Sequence, residues 1–132
     1  MDPLSITASC FALINALSKV TEQVTGFIRD FRESRQELQA LSRELQDLQL
    51  ALDLLKDDTV PVGIHGQLFS MMANCHTVVD EINGFIEKHS RTKGVERAAR
   101  WRTSGRDEAN KLRLTLEAHR GALSLAVDVI SM

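Results

Sequence analysis

Residues 34–56 read SRQELQALSRELQDLQLALDLLK. Leu38, Leu41, Leu45, Leu48, Leu52 and Leu55 recur there at alternating steps of three and four. At roughly 100° per residue they share one side of a helix. Glu37, Glu44, Asp47 and Asp53 interleave with Arg35, Arg43 and Lys56 and read as a solvated face. A helix with one continuous apolar side needs other helices to cover it. Ser34-Arg35-Gln36-Glu37 matches the Ser-x-x-Glu capping box, which places the helix start.

The same spacing extends upstream. Ile6, Cys10, Leu13, Leu17, Val20, Val24, Phe27 and Phe31 form a seam, with Asp2 as a cap and Pro3 at the first helical position. The heptad phase runs on between the two helices, so one unbroken helix and two separate helices both fit the pattern. A break near residues 30–34 is expected. Without it the helix would reach about 80 Å, and Ser34 would sit in the seam.

Downstream, Asp57-Asp58-Thr59-Val60-Pro61-Val62-Gly63 is a loop. A third helix carries Leu68, Met72, Cys75, Val79, Ile82 and Ile86, with Phe85 beside them, and ends by about His89. After a linker at residues 90–94, a short basic helix is expected over residues 95–102, stopping near Ser104-Gly105. A last helix from Arg106 carries Ala109, Leu112, Leu116, His119, Leu123, Ala126 and Ile130. No run alternates as a strand would. The predicted fold is all-α: an antiparallel four-helix bundle with a short extra helix between the third and fourth long helices. Residues 1–132 are read as a single domain, expected to be the N-terminal part of a longer chain because the last helix has no C-cap signal.

Composition agrees. With 132 residues, 43% hydrophobic and 26% charged, the chain has material for one core. The net charge of -2 gives no general attraction to nucleic acid or membranes. Cys10 and Cys75 fall on seams and read as small buried hydrophobes of a reducing compartment. A disulfide between the first and third helices is the minority reading. The N-terminus has no basic region ahead of its apolar segment, unlike a signal peptide. The uncharged segment 3–18 would span roughly 24 Å as a helix, short of a hydrocarbon core of ~30 Å.

Chemistry is sparse. His65, His76, His89 and His119 lack metal-ligand spacing, and no Cys-x-x-Cys, phosphate-binding glycine loop or nucleophile motif occurs. The expectation is a non-enzyme with no metal, no cofactor and no small-molecule substrate.

Two features exceed what a bundle requires. On the first helix, Leu4, Ala8 and Phe11 point nearly opposite the seam, with Asn15 on the same line. They are either covered by other elements or form a stripe available to a membrane or a second copy. The second feature is the stretch of Arg91, Lys93, Arg97, Arg100, Arg102 and Arg106, with only Glu96 opposing and Trp101 at its middle. It reads as a solvated connecting helix pinned by Trp101. Alternatively it is a cationic surface for anionic lipid, where each basic residue near the surface contributes about 1 kcal/mol. A single aromatic gives no stacking platform, so nucleic acid is not expected.

Met1-Asp2-Pro3-Leu4-Ser5-Ile6-Thr7-Ala8-Ser9 resembles the opening of the fungal HeLo-like N-terminal domains of STAND/NOD-like receptor-type proteins. Ala99-Arg100-Trp101 and the run Leu116-Glu117-Ala118-His119-Arg120-Gly121-Ala122-Leu123 are similar to the same group. A related domain type opens a protein of azaphilone pigment gene clusters. The resemblance implies a cytoplasmic helical bundle that oligomerises, is recruited to the plasma membrane on activation and induces cell death. The membrane- or partner-binding set would be Leu4, Ile6, Ala8, Phe11, Leu13, Ile14 and Leu17, and Arg91, Lys93, Arg97, Arg100, Arg102 and Arg106 would meet anionic lipid. In some members glycine spacing in the first helix is tied to membrane activity. Here that helix has only Gly26, so the glycine pattern is missing. The alternative is a homotypic or partner-binding adaptor without membrane activity.

Overall fold

The computed structural model describes the backbone of residues 3–57 and 59–132, with side chains from Ile6 onward. The cap expected at Asp2 lies outside the described residues. The long helices are α1 (Pro3–Asp30), α2 (Arg35–Asp57), α3 (His65–Ser90) and α5 (Arg106–Ile130), with the short α4 (Gly94–Arg100) before the last. The all-α class is as read from the sequence.

The chain breaks between α1 and α2 at Phe31, followed by a 3-10 turn at Arg32–Ser34. The capping box expected at Ser34 is not made. Its hydroxyl donates to the Phe31 carbonyl at 2.6 Å, and its N–H bonds the same oxygen at 3.1 Å. Glu37, the other half of that motif, instead takes Arg106 Nε at 2.7 Å. Ser34 is fully buried, so its polar atoms need partners inside the turn, and Phe31 O is the nearest oxygen that supplies one.

Consecutive long helices run in opposite directions, but the ring around the core is ordered α1, α2, α5, α3. Phe11 near the start of α1 meets Lys56 near the end of α2, and Lys88 at the end of α3 pairs with Glu108 at the start of α5. These two side-by-side pairs are antiparallel. Cys10 lies on Met72, while Phe27 and Phe85 both lie on Trp101, so α1 and α3 are parallel neighbours. Glu37–Arg106 and Glu44–Arg120 show the same for α2 and α5. The connection from α2 to α3 therefore crosses a diagonal of the ring. It is held by Val60, which is buried, and by His65 Nε2, 3.0 Å from the Val60 carbonyl.

The seams expected for α1, α2 and α3 form one core, with Phe31 only partly buried at its edge. On α5 the seam drifts: Leu112, Leu116 and Leu123 are buried, but Val127 rather than Ala126 closes it, and His119 is half-buried. A helix of 3.6 residues per turn drifts about 20° per heptad against a strict 3.5 repeat, which carries the last turn onto Val127.

α4 does not stop at Ser104-Gly105 as expected. It passes through a π-helical turn, Trp101–Gly105, directly into α5, and Gly105 has ordinary helical angles. The glycine is there for packing. A Cβ on it would lie 2.7 Å from Trp101 Cε3 and 3.0 Å from His89 Cε1. Gly94, at φ 61°, is the residue whose backbone does require glycine, where the chain turns into α4.

Candidate interaction surfaces

The basic stretch is tied to the protein at four of its six positions. Arg97 donates from Nε to the Thr92 carbonyl at 2.7 Å and from Nη2 to Ser90 O at 3.4 Å. Its guanidinium stands 5.3 Å from the Phe27 ring and 5.7 Å from Phe31. Arg100 meets Glu96 at 3.4 Å, Arg102 meets Glu33 at 3.8 Å and Arg106 meets Glu37 at 2.7 Å. Exposed pairs of this kind add only about 0–1 kcal/mol each to stability, yet they neutralise much of the local field. Arg91 and Lys93 make no ion pair among the described residues. Both border an open groove of about 520 Å³ shared with Phe27, Asp30 and Glu87.

Trp101 fastens this region. It is fully buried, with ring centroids of Phe27, Phe31, Phe85 and His89 at 5.8–6.1 Å. Its indole Nε1 and both His89 ring nitrogens have no hydrogen-bond partner among the described residues. Burial first, and then Lys88, push His89 below its ordinary pKa of 6.5. Glu108, with a carboxylate oxygen 4.0 Å away, opposes this, while Arg100 and Arg97 add to it.

On α1, Ile6, Leu13 and Leu17 are core residues, Ile14 is half-buried, and Ala8 and Phe11 are exposed. The Leu4 side chain lies outside the described residues. Phe11 is 49% exposed, and the Lys56 ammonium sits over its ring at 5.6 Å. Among the described residues no helix is long and apolar enough to cross a membrane.

The surface that the sequence reading missed is on α2 and α5. Leu50 and Leu54 project from α2 at 63% and 59% exposure. Leu114, Leu125 and Val129 project from α5 at 55–66%. An open groove of about 360 Å³, lined by Leu50, Leu54, Arg120 and Asp128, runs between the two helices. Glu44 holds Arg120 through two oxygens, at 2.9 and 3.4 Å, which raises the Arg120 pKa and locks the helices together. The signal was present in the sequence. Leu114, Ala118, Gly121 and Leu125 repeat the steps of four and three on the side of α5 opposite its core. The same test that isolated Leu4, Ala8 and Phe11 finds them.

Cys10 and Cys75 are free and buried, and burial pushes both thiols up to about 11. They stay protonated and act as packing atoms, with Cys10 Sγ 3.8 Å from Met72 Sδ.

Fold and surfaces together define an all-α helical-bundle domain whose distinguishing features are exposed helix faces. Over residues 1–132 the chain matches the family described as pigment biosynthesis cluster protein PigL N-terminal, and it belongs to that family. No curated protein and no solved structure matches it.

Proposed function

We propose that this bundle is a non-catalytic interaction module of the cytoplasm, an adaptor or signalling domain that works by binding a second copy or a protein partner. The observation that carries the reading is the apolar surface on α2 and α5, where Leu50, Leu54, Leu114, Leu125 and Val129 remain exposed. The N-terminal helix is spent on the core. Seven of its side chains, from Ile6 to Phe27, are at most 4% exposed. At about 1.5–3 kcal/mol for each large apolar side chain, releasing α1 would cost on the order of 10 kcal/mol, comparable to the whole stability of a domain.

A second reading keeps the fungal cell-death role: activation clusters several copies and α1 leaves the bundle for the plasma membrane. Two observations favour it: the half-exposed Phe11 ring, and Arg91 and Lys93, which make no ion pair among the described residues. One experiment separates the two. The chain is run by size-exclusion chromatography with light scattering and, in parallel, on anionic liposomes loaded with a fluorophore. The adaptor reading expects self-association or partner capture with no leakage. Leakage that is abolished by Phe11→Glu at unchanged helicity would replace it with the membrane reading.

A further inference from the structure

α5 has two apolar sides. Ala109, Leu112, Leu116, Leu123 and Val127 face the core. On the opposite side, Leu114, Ala118 and Leu125 are exposed and Gly121 is partly so. The line continues three residues back to Lys111 and three on to Asp128. Both are exposed, and neither makes an ion pair among the described residues. In heptad terms Lys111, Leu114, Ala118, Gly121, Leu125 and Asp128 occupy successive seam positions of a coiled-coil face on which none of the described residues packs closely.

This line reads as its own complement when reversed. Set antiparallel to a second α5 with Ala118 across from Gly121, it brings Leu114 across from Leu125 and Lys111 across from Asp128. A two-fold axis makes each of those contacts twice. At the centre, a Cβ built on Gly121 meets nothing within 4 Å among the described residues. That space is where the Ala118 methyl of the other helix would enter, letting the two backbones approach closely. The charges fix direction: a parallel pairing would set Lys111 against Lys111 and Asp128 against Asp128. A lipid surface would gain nothing from Asp128 at one end of the stripe.

We infer that α5 docks antiparallel on α5 of a second copy of this chain, through Lys111, Leu114, Ala118, Gly121, Leu125 and Asp128. The pairing rests on the interaction reading above and names its partner. One helix-on-helix contact is small beside a standard interface of ~1,600 Å², so the dimer is dilution-sensitive. Leu50 and Leu54, across the groove on α2, extend the apolar surface.

The test is sedimentation equilibrium of the chain from micromolar to millimolar concentration. A concentration-dependent dimer is expected. Leu114→Glu with Leu125→Glu should leave a monomer of unchanged helicity, whereas Val95→Glu, on an exposed residue elsewhere, should leave the dimer intact. Lys111→Glu alone and Asp128→Lys alone should each weaken association about ten-fold or more at low salt. The two combined should restore it. A dimer that ignores the leucine changes leaves self-association standing and overturns the α5 face. Loss on the leucine changes with no response to charge reversal or no rescue overturns the antiparallel register. A wild-type chain that stays monomeric throughout overturns the pairing, and if it also captures no partner the interaction reading falls with it.

Discussion

Where α1 and α3 finish and α5 begins, five rings pack on one another: Phe27, Phe31, Phe85, His89 and Trp101, with Phe85 and His89 only 4.6 Å apart. Arg97 lies over two of them, and Arg102 and Arg106 reach across to acids on the neighbouring turn and helix. At the opposite end, where α2 and α5 finish, the core is mostly aliphatic, Leu50, Leu54, Leu125 and Val129 are exposed, and Phe11 on α1 is half-exposed. The aromatic end spends its large side chains on cohesion. The aliphatic end leaves several of its own uncommitted, and the interaction surface proposed above draws on them. The basic stretch belongs to the aromatic end. Of its two sequence readings, a connecting helix pinned by Trp101 and a surface for anionic lipid, the contacts of Arg97, Arg100, Arg102 and Arg106 agree with the first.

The sharpest way to break this contrast is to remove its centre. Trp101→Ala deletes the side chain that all four other rings share, and buried Trp or Phe to Ala changes cost about 3–5 kcal/mol. Urea unfolding followed by circular dichroism should show that loss, against less than about 0.5 kcal/mol for exposed Val95→Ala. A Trp101→Ala midpoint close to wild type would mean that the rings do not hold this end.

Next in size is Gly105→Ala. Its methyl would enter 2.7 Å from the indole and 3.0 Å from the His89 ring, and neither is the loose end of a flexible chain. Overpacking of this kind costs about 1–3 kcal/mol, so the variant should melt below wild type although alanine is the better helix former. A melting temperature raised by Gly105→Ala would show that the π-turn relaxes to admit the methyl, and the aromatic end would be less closely packed than described.

Both residues show what the sequence could and could not reveal. The steps of three and four located most of the core of α1, α2 and α3, because a buried helix face imposes its period directly on residue choice, but they left out the buried Ala51 and Val78. Trp101 was legible as an anchor for the basic segment. Gly105 was misread as a stop, because a glycine that makes room for a ring and one that ends a helix are written identically. Ser34 was misread as a cap for a related reason: the motif was present, but burial turned its hydroxyl to Phe31. The ring order could not be read at all. Seam spacing says that a helix is covered and not by which neighbours, so the parallel pairing of α2 with α5 rests on contacts such as Glu44–Arg120 between residues far apart in the chain. The candidate site was half legible. The exposure of Phe11 agrees with its position off the seam, but the α5 stripe carries a weaker signal in sequence, because its middle positions are the small residues Ala118 and Gly121.

His89 sharpens the comparison through pH. Its neighbours are Phe85 and Trp101 in ring contact, Glu108 at 4.0 Å, and the cations Lys88, Arg97 and Arg100. Burial and the cations hold its pKa below the ordinary 6.5, so the folded state prefers the neutral ring. The contribution is therefore complete above pH 6.5 and is lost as pH falls from there through the lowered folded pKa, because the unfolded chain takes up the proton first. Melting temperatures of wild type should drop over that window more than those of His89→Phe, which has no proton to bind. Parallel curves for the two proteins would remove His89 from the account of this end.

The smallest expected effect is the most direct comparison, because it places the same substitution in the other half of α5. Gly121 is helical and a Cβ on it would meet nothing within 4 Å among the described residues, whereas Gly105 faces two rings. Alanine in a helix interior is favoured over glycine by roughly 0.5–1 kcal/mol. Gly121→Ala should therefore raise the melting temperature by a few degrees, opposite in sign to Gly105→Ala. The measurement belongs at low protein concentration, where the proposed dimer would dissociate and the methyl would meet only water. At high concentration the same methyl would fill the space that an antiparallel α5 needs, so the gain should shrink as the chain is concentrated. A gain independent of concentration would mean that nothing docks at Gly121. A loss even in dilute solution would mean that this side of α5 is already covered within the monomer, and the aliphatic end would then have no more free surface than the aromatic one.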